Sequence, residues 1–84
     1  MNRTFRIGIT PDFDRNARGL IDPVLSERFD GVPGLEYGRL PEVGPVATPA
    51  QLRDVDAVIN LSLKFQPESF TGQDRLVLIA RWGV

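Results

Sequence analysis

Two short apolar runs, Ala57-Val58-Ile59-Asn60-Leu61 and Leu76-Val77-Leu78-Ile79-Ala80, decide how this chain is read. Each has the length of a strand and is apolar without alternation, the pattern of strands in a parallel sheet with both faces covered by helices. The two runs are therefore expected to be the central strands. Between them, Gln66-Pro67-Glu68-Ser69-Phe70 leaves room for one or two helical turns before Thr71-Gly72.

Working outward, Thr48-Pro49-Ala50-Gln51 matches a capping box. In that motif the threonine hydroxyl accepts from the third helical N–H, and the glutamine reaches back to the cap residue. A short helix from Pro49 to about Asp54 is expected. Pro41 to Pro49 reads as a connecting loop that hugs the surface.

Leu35-Glu36-Tyr37 alternates between Gly34 and Gly38, with Pro41 beyond, which suggests a short strand at a sheet edge. Near the start, Phe5, Ile7 and Ile9 alternate with Arg6, Gly8 and Thr10, the period of a strand with one better-buried face, ended by Pro11. Asp12 to Gly19 is polar. Asp22-Pro23 then supplies a cap residue and a proline at the first helical position, so a helix is expected from about Pro23 to Phe29, before Gly31, Pro33 and Gly34.

Strand, helix, strand, helix, strand, helix, strand, with short right-handed connections, implies a layered α/β fold. A flavodoxin-like parallel sheet of order 2-1-3-4 is the natural arrangement. It would be incomplete, because no closing helix follows the last strand in the sequence. Such sheets bind ligands at the C-terminal ends of their strands. The loops in question are Pro11 to Gly19, Leu61 to Phe65, and whatever follows Ala80.

Composition narrows the function. The 84 residues form one small domain at most, and folding at that size hides only about 60 to 65 % of the surface of the unfolded chain. Hydrophobic residues at 42 % and charged residues at 25 % are ordinary for a globular chain. A net charge of -1 argues against nucleic acid as a partner. Lys64 is the only lysine, and the arginine excess carries no functional weight.

The chain has no cysteine, which removes disulfides, thiol nucleophiles and sulfur-bound zinc and fits a reducing compartment. It has no histidine, so a Ser-His-Asp triad, a His general base and a His-ligated metal are impossible within it. Met1-Asn2-Arg3-Thr4 leads into a short alternating stretch, read as neither a signal peptide nor a membrane span, with a cytoplasmic location expected.

Asp56-Ala57-Val58-Ile59-Asn60-Leu61-Ser62, a short helix, and then Arg75-Leu76-Val77-Leu78-Ile79-Ala80-Arg81-Trp82-Gly83-Val84 resemble the N-terminal region of the D-isomer-specific 2-hydroxyacid dehydrogenases. The pattern runs along nearly the whole chain, and its specific part is the C-terminal third. The resemblance implies a partial substrate-binding domain, with an NAD- or NADP-binding Rossmann domain and the catalytic Arg, Glu and His lying after Val84. It implies no cofactor bound by this segment, a 2-hydroxy or 2-keto acid as the substrate of the full enzyme, and no activity of these residues alone.

In that family the substrate carboxylate is held by backbone N–H groups of a Val-Gly pair, as expected of an anion-binding loop. The resemblance places Val84 first in that pair, with Gly83 just before it. It also brings Leu61 and Ser62 near the substrate. Some members have Arg immediately before that Ser, where this chain has Leu61. For Ser62, capping of a turn and contact with substrate stand side by side. Arg81 joins the substrate-side residues, although an arginine at a strand end is ordinarily solvated or paired. Trp82 reads as packing at the domain rim.

Asp12 and Asp14 after the first strand invite comparison with receiver domains, which hold Mg2+ there. Those also need an aspartate ending the third strand, where this chain has Asn60-Leu61-Ser62. The two aspartates are therefore expected to solvate a mobile loop. The alternative to the dehydrogenase reading is a freestanding, non-enzymatic α/β module that binds a small anion or pairs with itself. Under either, an uncovered last strand is expected to give a homo-oligomer, most simply a dimer.

Overall fold

The computed structural model describes residues 4–16, 19–42 and 44–82. Gly83 and Val84, the expected carboxylate turn, lie outside the described residues. The elements in chain order are β1 (Phe5–Ile9), α1 (Phe13–Asn16), α2 (Asp22–Phe29), β2 (Leu35–Arg39), α3 (Pro49–Leu52), β3 (Ala57–Asn60), a 3-10 turn (Pro67–Phe70) and β4 (Leu78–Arg81). The four strands form one all-parallel sheet of order β2-β1-β3-β4. This is an α/β fold with the flavodoxin-like order 2-1-3-4 that the sequence implies.

The core lies on both faces of the sheet. Ile7, Ile9 and Ala57 pack with Phe13, Ile21 and Leu25 on one side. Val58 packs with Leu40, Ala47, Leu52, Val55 and Leu63 on the other. The expectation of one better-buried face on β1 is thus corrected, since Gly8 is buried as well as Ile7 and Ile9. A Cβ on Gly8 would stand 2.6 Å from Leu40 Cδ2 and 3.2 Å from Val55 Cγ1. The bare α-carbon admits the second core layer.

The capping box is formed as its residues require. Gln51 N donates to Thr48 Oγ1 at 3.3 Å, and Thr48 N donates to Gln51 Oε1 at 2.8 Å. Gln51 Nε2 also donates to Pro41 O at 2.5 Å, tying α3 to the segment that leaves β2. That segment is more than a surface loop, because Leu40 and Ala47 are buried.

The start of α2 and the place of the last strand differ from expectation. Ile21, not Asp22, is the residue before α2, and no side chain caps the helix there. Ile21 is 1 % exposed and its burial fixes the helix start, while the Asp22 carboxylate accepts from Arg39 Nη2 at 2.9 Å. The second apolar run is an edge strand and not a central one. Val77 is 75 % exposed and Leu78 56 %, and among the described residues β4 pairs on one side only, with β3. β4 is held at its ends, where Leu76 packs on one core layer and Trp82 on the other. Trp82 meets Phe13 edge-on, with ring centroids 6.1 Å apart.

At the N-terminal ends of the strands, the Asp56 carboxylate is 1 % exposed and joins β1, β3 and the approach to β4. It accepts from Arg6 N at 2.7 Å and from Arg75 Nε and Nη2 at 3.0 Å each. The Arg75 fork reaches on to Thr4 O at 3.0 Å.

Filling the space above Gly8 tests the packing. Gly8→Ala lowers stability by about 1–3 kcal/mol, the usual cost of overpacking, seen as a lower urea midpoint with unchanged slope. An unchanged midpoint would show that Leu40 moves aside freely.

Candidate functional site

In the order 2-1-3-4 the C-terminal ends of β1 and β3 lie side by side, and their loops meet there. Thr10 N donates to Ile59 O at 3.1 Å, continuing the ladder past the last residue of β1. The next two contacts use the Thr10 side chain, which is fully buried. Thr10 Oγ1 accepts from Leu61 N at 3.1 Å and donates to Asp12 Oδ1 at 2.6 Å. Asp12 Oδ2 in turn accepts from Ser62 N at 2.8 Å and from Ser62 Oγ.

Asp12 is only 5 % exposed, which corrects its expected role as a solvated loop residue. Burial pushes its carboxyl upward, and hydrogen bonds from the Ser62 side chain, Thr10 and the Ser62 backbone outweigh that, leaving it below the usual aspartate range. Asp14 does not solvate a loop either. It lies in α1 and accepts from Arg39 Nη2 at 3.0 Å.

The loop after β3 is also braced from within. Leu63 N donates to Asn60 Oδ1 at 2.9 Å, and Asn60 Nδ2 donates to Leu63 O at 3.0 Å. Trp82 N donates to Asn60 O at 2.7 Å, which fastens the chain leaving β4 to the same turn. Lys64 bridges to Val46 in parallel pairing, with Ala47 N donating to Lys64 O at 2.7 Å.

Around this braced loop are two cavities. One, of about 140 Å3, is lined by Pro11, Asp12, Gly44, Pro45, Ser62, Leu63 and Lys64. The other, of about 400 Å3, is lined by Asn60, Leu61, Ser62, Leu63, Lys64 and Arg81. Ser62, Leu63 and Lys64 form the wall they share. Arg81 reaches the site because β4 pairs with β3 so that Arg81 stands opposite Asn60.

Of the residues named from the sequence, Leu61, Ser62 and Arg81 thus come together at one cavity. Leu61 also packs its side chain on the first core layer. Sequence reasoning did not place Thr10, Asn60 or Lys64 at the site, and it gave Asp12 a solvating role instead. The available signal was the strand order itself, which sets a polar residue at the end of strand one beside the serine after strand three.

Chemically the site offers two cations, one hydroxyl and an ionised carboxylate already engaged, a set suited to holding a small anion. Among the described residues no group of three or more His, Cys, Asp or Glu lies together as a metal site, and no helix is long and apolar enough to cross a membrane. Comparison of the chain with protein-family models, curated proteins and solved structures gives no match.

The lowered Asp12 carboxyl sets a pH dependence. Its contribution to stability is complete above the unfolded aspartate value of about 3.9 and is lost as pH falls through the lower folded value. Asp12→Asn is expected to cost about 1.5–3 kcal/mol at neutral pH, the range for hydrogen bonds to charged groups. It should also flatten the acid limb of a stability-against-pH curve from urea titrations. An acid limb as steep as the parent's would mean that other carboxylates govern it.

Proposed function

We propose that this chain is the N-terminal part of the substrate-binding domain of an NAD(P)-dependent D-2-hydroxyacid dehydrogenase and supplies the substrate-side wall of its cleft. The observation that carries the reading is the convergence of Ser62, Lys64 and Arg81 on the cavity at the C-terminal ends of β3 and β4. Ligands of open α/β sheets bind at that end. The residue patterns from Asp56 to Ser62 and from Arg75 to Val84 support the same assignment.

In this reading the complete enzyme moves hydride between a nicotinamide and C2 of a 2-hydroxy or 2-keto acid, with NAD or NADP held by a separate Rossmann domain. A histidine outside this chain exchanges the hydroxyl proton. The residues here contribute charge and shape: Lys64 and Arg81 attract the carboxylate, and Ser62 meets a polar group beside it. A cytoplasmic location belongs to the same proposal.

A second reading, a non-enzymatic module that pairs with itself, is favoured by the exposed apolar residues Val77, Leu78 and Ile79 on an edge strand. A homo-oligomer is compatible with both readings.

Extending the chain along its coding frame separates them. The dehydrogenase reading expects a G-x-G-x-x-G after a strand and later Arg, Glu and His. The extended protein then reduces 2-keto acids with NADH or NADPH, while the 84 residues alone leave the coenzyme unoxidised. A frame without those segments, or turnover by the 84 residues alone, would contradict it.

A further inference from the structure

In a sheet of this order the usual ligand place is the crevice between β1 and β3, and here a carboxylate occupies it. Asp12 is buried there with both oxygens taken, one by the Thr10 hydroxyl and the other by the amide and hydroxyl of Ser62. An ionised carboxylate at that point repels an anion. The cavity beside it, at about 140 Å3, is also smaller than ordinary ligand pockets of about 300–1,000 Å3. The cavity one strand over differs on both counts. At about 400 Å3 it falls within that range, and its lining includes Lys64 and Arg81 but no acidic residue.

Register decides which face Arg81 shares. Arg81 stands opposite Asn60 and Ile79 opposite Val58. Side chains alternate between the faces along each strand, so residues in register point to the same side. Arg81 therefore lies on the face where Val58 packs with Leu63 and where the Asn60 amide bonds the Leu63 backbone. Lys64 follows Leu63 directly, and its backbone is fixed, with Lys64 N donating to Pro45 O at 3.0 Å. Among the described residues neither Lys64 nor Arg81 makes an ion pair, whereas Arg6, Arg39 and Arg75 each do. In a chain of net charge -1, two cations without carboxylate partners on one cavity are a local excess that the fold leaves unanswered.

We propose that this cavity binds the phosphate group of a phosphate monoester. Such a group carries a charge of about −1.5 to −2 at pH 7 and offers three acceptor oxygens. A guanidinium meets phosphate oxygens in pairs, and an ammonium adds a point charge. A monocarboxylate answers one of the two cations. The doubly charged phosphate answers both, and the remaining volume takes the organic part that it esterifies. The inference uses only the cavity and its charges, so it goes beyond the proposed function and holds under either reading of the chain.

The test is separate titration of the 15N-labelled chain with methyl phosphate, dimethyl phosphate and acetate at neutral pH in dilute salt. Methyl phosphate is expected to shift the amides of Ser62, Lys64 and Arg81 and to bind about tenfold more tightly than the two singly charged probes. Its advantage over dimethyl phosphate should fade at about pH 5, where the monoester has lost its second charge and Asp12 is still ionised. Arg81→Gln and Lys64→Gln should each weaken methyl phosphate binding about tenfold. Unmoved amides of Ile7 and Ile9 in those variants would separate lost charge from lost fold. Equal affinity for methyl and dimethyl phosphate, with the same amides shifted, overturns the monoester inference and leaves a site for small anions. Equal shifts at the exposed Arg28 and Arg53 would mean non-specific charge binding and overturn it as well. If none of the three probes shifts those amides, the inference falls together with the cavity's role in the proposed function.

Discussion

A parallel pair of strands cannot be closed by a tight turn, so its register has to be set by something other than the connection between its strands. In this chain β1 and β3 are the central pair, 50 residues apart at the Arg6 to Asp56 contact, and the remaining strands are built onto them. Their register is held by a buried carboxylate at each end. At the N-terminal end Asp56 accepts from the β1 backbone and from the Arg75 fork. At the C-terminal end Asp12 accepts from Thr10 and from both the backbone and the side chain of Ser62. Slipping the pair by one residue would break both sets of bonds and leave two carboxylates buried without partners, a loss far larger than that of a surface ion pair.

The two clamps have different consequences. Asp56 organises structure, since its partner Arg75 starts the run into β4 and its own carbonyl accepts from Val77. Asp12 organises the site, since it fixes the loop whose outer side lines the two cavities. The pairs that Arg39 makes with Asp14 and Asp22 hold α1 and α2 over the end of β2. Their carboxylates are mostly exposed, at 61 % and 58 %, so they add little to stability. The loop after β3 is tied by side-chain hydrogen bonds with both Asp12 and Asn60.

Much of this was legible in the sequence because it depends on local chemistry. Thr48 and Gln51 specify their helix start by themselves, and the apolar runs around Val58 and Leu78 specify strands by length and composition. Strand order followed from the alternation of elements, and it placed Leu61 and Ser62 at the ligand end of the sheet. The rest depends on partners distant in the chain. The burial of Asp12 is decided by a serine fifty residues away, and Asp22 lost its cap role to Arg39. An apolar run reports that both faces of β4 are apolar, not that anything covers them. Gly8 gave no sign that Leu40 packs directly on its α-carbon.

Thr10 and Asp12 fix the loop after β3 as firmly as the sheet itself. Hydrogen exchange at the Leu61 and Ser62 amides measures this most directly, because each donates to one of those side chains and not to a strand. Both amides are expected to exchange as slowly as the strand amides of β3, and Asp12→Ala is expected to speed Ser62 by orders of magnitude while Val58 stays protected. Exchange of Leu61 and Ser62 at the rate of free loop amides in the parent chain would contradict it.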